Sequence, residues 1–200
     1  MTDSQGEVAR LLPARRGHFL LESGHHGDLW LDLETLCLDP APVRALARRL
    51  GDRLRRHRPE MVCGPLVEGA FVGLMTAEHL ALPFTYAEPR RAAPEGLFPV
   101  AYRLPPALRA RVEGRRVAVV NDVVNAGSAV RGTLSDLRAC GAHPVVIGTL
   151  AVLGSAAQRL AHDEDVALEH LAALANAIWT PEDCPLCARG LPLSAPAAAP

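Results

Sequence analysis

Asn121 and Asp122 follow four small apolar residues, Val117 to Val120, and precede Asn125, Ala126, Gly127 and Ser128. An apolar run without helical spacing suits a strand buried on both faces of a parallel sheet. Polar groups at its end are placed to meet a ligand. Small residues then allow a tight loop, and Ser128 or Asn125 is a suitable cap for a following helix. Strand, acid, loop and helix start together aim backbone N–H groups at a phosphate. The acid can take a sugar hydroxyl or a Mg²⁺ ion. The same residue types also serve an ordinary β-to-α turn without a ligand. The stretch lacks the Gly-Lys-Ser/Thr end of a P-loop and the three-glycine spacing of a dinucleotide fold, which disfavours both.

Other reactive residue types are scattered. Gly64-Pro65-Leu66-Val67-Glu68-Gly69 forms a second strand-to-helix loop, of the kind that lies where α/β proteins bind ligands. His25 and His26 sit at the tip of an expected hairpin; they could contact phosphate or metal, although adjacent histidines on a solvated turn are ordinarily inert. Cys184 and Cys187 have half the spacing of a zinc site. With no second Cys/His pair nearby along the chain, that spacing favours a structural turn. His79 reads as a packing or surface residue.

Strands alternate with helices around these loops. The expected elements are a surface helix over 4–16 ended by Gly17, a hairpin within 18–33, and a helix opened by Pro40. They continue with a strand at 61–63, a helix from Gly69, a strand at 84–87, a mobile loop at 89–98 and a short strand at 100–104. The central strand, a helix over 128–140, a strand at 145–153 and a short helix over 155–162 complete the set. Such alternation implies a parallel sheet with right-handed crossovers, an α/β fold. The arginine-rich side of the helix after Pro40 reads as a solvated face.

Size and composition set limits. At 200 residues the chain suits one domain, and 49% hydrophobic with 22% charged residues supports a sizeable core. A net charge of -1 offers no basic field for nucleic acid. All 21 basic residues are arginine, so any step that ordinarily uses lysine falls to arginine or histidine. The start has no apolar signal-peptide core, and no apolar run approaches the roughly 18 residues of a membrane span. Five cysteines without an export signal suggest free thiols, and the cytoplasm is the expected compartment.

Residues 117–130 resemble the phosphoribosyl-diphosphate (PRPP) loop of type I phosphoribosyltransferases, and most of the chain is similar to the orotate-specific branch. Gly17-His18-Phe19-Leu20-Leu21 with Ser23-Gly24 resembles its N-terminal segment, and Gly64-Pro65 before Gly69 resembles its pyrophosphate loop. Phe84-Thr85-Tyr86-Ala87-Glu88 resembles the strand leading to its catalytic loop. Cys184-Pro185-Leu186-Cys187 with Gly190-Leu191-Pro192-Leu193 resembles its C-terminal pattern.

The resemblance implies a single domain over 1–200. It has a flap at 17–36, a core at 60–153 holding the PRPP loop at 121–129, and a frayed tail at 190–200. It implies transfer of phosphoribosyl from PRPP, with Mg²⁺, to a pyrimidine-type base with release of pyrophosphate. Asn125, Ala126, Gly127, Ser128 and Ala129 would hold the 5′-phosphate; Asn121 and Asp122 would serve the ribose and Mg²⁺. Pro65, Leu66, Val67, Glu68 and Gly69 would line the pyrophosphate loop. Arg90 and Arg91, with Arg103 as a further candidate, would serve the catalytic loop, and Trp30 and Leu153 the base pocket. No protein-only metal site is expected, and a homodimer is.

Four positions depart from the family pattern. Asn121 stands where the PRPP loop has a first acid. Glu22 stands where the family has a basic residue, Glu68 brings a negative charge to the pyrophosphate loop, and Leu153 replaces the arginine that pairs with the orotate carboxylate. Two readings follow: a phosphoribosyltransferase with a diverged site, and a non-catalytic protein of the same fold that binds a phosphate or nucleotide as a regulator or partner subunit.

Overall fold

The computed structural model describes residues 4–21, 24–91 and 100–194. The chain opens with α1 (Ser4–Leu11) and an antiparallel hairpin of β1 (Ala14–Leu20) and β2 (His26–Leu31). Then come α2 (Pro40–Leu54), β3 (Met61–Pro65), α3 (Glu68–Leu80), β4 (Phe84–Arg91) and β5 (Val100–Arg103). α4 (Pro106–Val112), β6 (Arg116–Val124), α5 (Ser128–Ala139), β7 (His143–Leu153), α6 (Ala156–Asp163) and β8 (Ala167–Leu174) follow. The short β9 (Ile178–Trp179) and one-turn α7 (Pro185–Ala188) end the order.

The expected α/β architecture is present. Six strands form a sheet in the order β5-β4-β3-β6-β7-β8, parallel except for β5. The small β1-β2-β9 sheet is separate. β6 is central because its side chains serve both faces. Ala118 and Val120 join a core with Val43, Leu46 and Leu50 of α2 and Val72 of α3. Val117 and Val119 join the opposite core with Val130, Leu134 and Leu137 of α5 and Leu160 of α6. Period-two alternation on one strand thus builds both layers.

Several expected boundaries differ. The first helix stops at Leu11, because Pro13 cannot continue it. Gly17 is not its end; it lies inside β1, where the register to β2 shifts between Arg16 and Phe19. β4 runs through Arg91, so 89–91 are strand rather than loop. The remainder of the expected loop, 92–98, lies outside the described residues, as do Glu22 and the tail beyond 194. The core also does not end at 153. β8 adds a further parallel strand to β7 although Ala-Leu-Glu-His-Leu-Ala-Ala-Leu is rich in helix formers. Sheet pairing overrides that local preference.

The arginine face of α2 is less solvated than expected. Arg53 donates to the His170 carbonyl, Arg49 pairs with Glu7, and Arg56 and His57 just beyond α2 meet buried Glu169 on β8. Five free cysteines agree with the absence of disulfides expected from the sequence. No helix among the described residues is long and apolar enough to cross a membrane.

Leu134 is fully buried between α5 and the sheet. Leu134→Ala is expected to destabilise the protein by about 2–5 kcal/mol, read as a lower urea midpoint at unchanged slope.

Candidate functional site

The sheet reverses its direction of growth between β3 and β6: β4 lies beyond β3, while β7 and β8 lie beyond β6. At such a switch point the loops after the two strands part and leave a crevice at their carboxyl ends. Residues 66–67 after β3 and 125–127 after β6 are those loops.

The two loops are joined by one tight contact. The Asn121 side chain lies over Gly69, so closely that a Cβ at Gly69 would stand 2.0 Å from Asn121 Oδ1. Asn121 Nδ2 donates to the Val123 carbonyl at 2.8 Å, which fixes the carboxamide across the loop base. Its role here is to hold two loops together, and only a glycine leaves room for it.

The helix start differs from the expected caps. Gly127, not Ser128 or Asn125, is the N-cap, at φ 83°, and no side chain caps the helix. A Cβ there would meet Leu160 Cδ2 at 2.5 Å, so both the left-handed backbone and the packing require glycine. Gly127 turns the chain so that Ser128 and Ala129 enter the first turn of α5. The N–H groups of that turn have no partner within the helix and carry the positive end of its dipole. Asn125 Oδ1 accepts from Asn176 Nδ2 at 3.2 Å, and Asn176 Oδ1 is buried without a hydrogen bond. Asn176 is therefore a polar group at this loop that the sequence did not reveal.

Asp122 is only 5% exposed. Burial pushes its carboxyl up to about 6; the Val123 N–H acts against this, and the charge of Glu68 raises it further. Thr149 on β7 donates its hydroxyl toward the Asp122 carbonyl at 2.9 Å and so anchors the backbone beneath the acid. Glu68 begins α3, where the helix N-terminus favours a carboxylate. Asp122 at the end of β6 and Glu68 at the start of α3 therefore stand close enough for their charges to interact. The Leu66–Val67 peptide between β3 and α3 is cis.

The remaining candidate residues are more dispersed. Arg90 is exposed on β4 and pairs with Glu88; Arg91 ends the same strand. Arg103 is committed elsewhere: it and Arg109 meet buried Asp136 at 2.8 Å each, and the Leu104 N–H donates to the same carboxylate. Burial pushes Asp136 up, yet these donors hold it below the usual carboxylate range. Arg103 thus secures β5 against α5. Trp30 lies on β2, its indole N–H bonded to Asp32 at 2.9 Å and its ring 5.9 Å from Phe19. Leu153 ends β7 and is buried in the apolar core, so no cation stands there. His79 bonds Asp52 at 2.8 Å on the outside of the α2–α3 pair.

Comparison with known proteins rests on whole-chain similarity. No family model matches the chain. An orotate phosphoribosyltransferase of Thermotoga maritima is 29% identical over 183 residues, covering 90% of this chain and 89% of that protein. Another, of Caldanaerobacter subterraneus subsp. tengcongensis, is 28% identical over 184 residues, with 90% and 88% covered. The crystal structure of orotate phosphoribosyltransferase from Aeropyrum pernix superposes with a TM-score of 0.62 at 27% identity, over 81% of this chain and 88% of that one. The chain has the fold of the type I phosphoribosyltransferases. In sequence it is a relative of the orotate phosphoribosyltransferases, and the resemblance read from its motifs is borne out.

Sequence reasoning along the chain also missed a group away from this crevice. His18 and His26 stand against both Cys184 and Cys187. The premise that no second Cys/His pair lies near the two cysteines holds in sequence and fails in space.

Asp122 carries a stability cost that follows from its burial. The unfolded chain ionises this carboxyl near 3.8 and the folded chain only near 6, so stability falls as pH rises between those values. A rise of that size corresponds to about 3 kcal/mol. Asp122→Asn is expected to raise stability at neutral pH by up to that amount and to flatten the pH dependence from about 4 to 6, measured by urea unfolding across pH.

Proposed function

We propose that this protein transfers the phosphoribosyl group of PRPP to a pyrimidine-type base and releases pyrophosphate. The observation that carries the reading is the junction of the 125–129 and 65–69 loops at the sheet's switch point, closed by Asn121 on Gly69. Relatives named for this activity match 90% of the chain, which adds support.

In this reading the N–H groups from Gly127 to Ala129 hold the 5′-phosphate, and ionised Asp122 accepts the ribose hydroxyls. The bond from the anomeric carbon to pyrophosphate breaks as the bond to a ring nitrogen of the base forms. Positive charge grows on the ribose, and Asp122 would stabilise that charge. Pyrophosphate leaves along Leu66 to Gly69, toward the arginines of β4. Arginine takes the place of lysine here, with a charge that cannot be lost at working pH. Asp122 and Glu68 are hard oxygen donors of the kind Mg²⁺ takes. The ion, bound with PRPP, would offset the charge of the diphosphate, and Glu68 would thereby be compatible with a leaving anion.

The implied homodimer would use an apolar surface on α3. Val67, Phe71 and Leu74 are 52%, 44% and 53% exposed and share one flank, with Leu38 at 82% nearby in sequence to α2. An apolar stripe of this kind on the helix that enters the site suits a second copy of the chain.

The purified chain, given PRPP, Mg²⁺ and a panel of pyrimidine bases, is expected to release pyrophosphate and form a nucleoside monophosphate with at least one. Asp122→Asn should lower turnover on the order of a hundredfold or more. Activity should fall as pH drops through about 6, where Asp122 gains its proton, and Glu68→Gln should move that limb to lower pH. Binding of phosphate or nucleotide with no turnover of any base would instead establish the non-catalytic reading. Leu74→Arg is expected to yield monomer by light scattering where the native chain is dimeric.

A further inference from the structure

A second cluster lies where the β1–β2 hairpin meets the C-terminal segment. His18 on β1, His26 on β2, and Cys184 and Cys187 at the two ends of α7 bring one ligand atom each to within 4.8 Å of one another. His18 Nε2 stands 2.9 Å from His26 Nδ1, 3.4 Å from Cys184 Sγ and 3.7 Å from Cys187 Sγ; Cys187 Sγ stands 3.2 Å from His26 Nδ1. Zinc with Zn–N near 2.0–2.1 Å and Zn–S near 2.3 Å has tetrahedral ligand-to-ligand edges of about 3.3–3.8 Å. The observed separations bracket that range.

The protonation of His18 is fixed by its other nitrogen. Nδ1 lies 2.8 Å from the Leu191 carbonyl, which can only accept, so the proton is on Nδ1 and the Nε2 lone pair faces the other three atoms. A carbonyl on the far nitrogen of a metal-binding histidine is the usual way its ring is oriented. The Cys-Pro-Leu-Cys turn places both sulfurs on one side. His18, His26 and Cys184 are buried while Cys187 is exposed, which gives an ion a way in.

We propose that His18, His26, Cys184 and Cys187 bind a structural Zn²⁺ ion that fastens the C-terminal segment to the β1–β2 hairpin. Two thiolates and two imidazoles in tetrahedral array suit Zn²⁺, and four protein donors close the coordination, so the ion supports structure rather than catalysis. It ties the C-terminal segment to two strands that are already paired with each other. The Ser194 N–H to the His18 carbonyl, at 2.6 Å, is one of the few main-chain links between the tail and β1. The hairpin it steadies also carries Trp30.

The test uses the full chain, expressed without a polyhistidine tag and purified without chelator. Elemental analysis is expected to find stoichiometric zinc. Co²⁺ exchanged into the protein should give thiolate-to-metal charge transfer and tetrahedral d–d absorption. Cys187→Ser and His26→Ala should each reduce bound zinc at least tenfold and abolish the cobalt spectrum. Chelation of the native protein should lower its melting temperature and speed proteolytic release of the C-terminal segment, which does not depend on any variant folding. Native protein free of zinc after expression in zinc-supplemented medium, and silent toward Co²⁺, would overturn the proposal. So would a Cys184–Cys187 disulfide in that protein, or zinc retained in full by Cys187→Ser. These readouts are independent of phosphoribosyl transfer.

Discussion

The contact between the Asn121 carboxamide and Gly69 is the constraint on which the site depends. It is an ordinary polar side chain resting on a residue with no side chain, yet it decides how near two loops of the sheet can approach. The positions of Asp122 and Glu68 follow from it, because each is adjacent in sequence to one half of the contact. A carboxylate at 121 would add a third negative charge to that confined space. The carboxamide keeps the shape without the charge, and its own N–H donates to the Val123 carbonyl. The departure from the family pattern is thus a workable solution to local geometry.

The same crevice shows the tension between stability and function. A carboxyl held at low exposure beside another acid is a poor choice for folding and, in the proposed reaction, would be a useful one for a group that responds to a growing positive charge. The surrounding structure tolerates it through broad apolar burial on both sides of β6. Asp136 offers the contrast: equally buried, but saturated with donors, it is a structural acid. Environment rather than residue type separates the two.

Much of the fold was legible because β6, α5 and β7 have clean apolar patterns bounded by Gly127 and Gly141. The β8 strand was not, since its composition favours helix and only its pairing with β7 makes it a strand. The helix cap was misplaced because Ser128 and Asn125 are good caps in general, while the decisive fact is that Leu160 packs under Gly127. Arg103 looked like a ligand for pyrophosphate because its partner, Asp136, is remote in sequence. The His18–His26–Cys184–Cys187 group escaped for the same reason: spacing rules detect neighbours along the chain, and these pairs meet only when the tail folds back.

Helix α3 has its first residue in the crevice and its apolar flank at the surface. A helix of 13 residues is stiff over its length, so displacement of the flank is transmitted to Glu68 with little loss. In the proposed dimer, a partner seated on Phe71 and Leu74 would therefore also bear on the acidity of Asp122, and the proton affinity of the crevice would become a property of the assembly rather than of one chain.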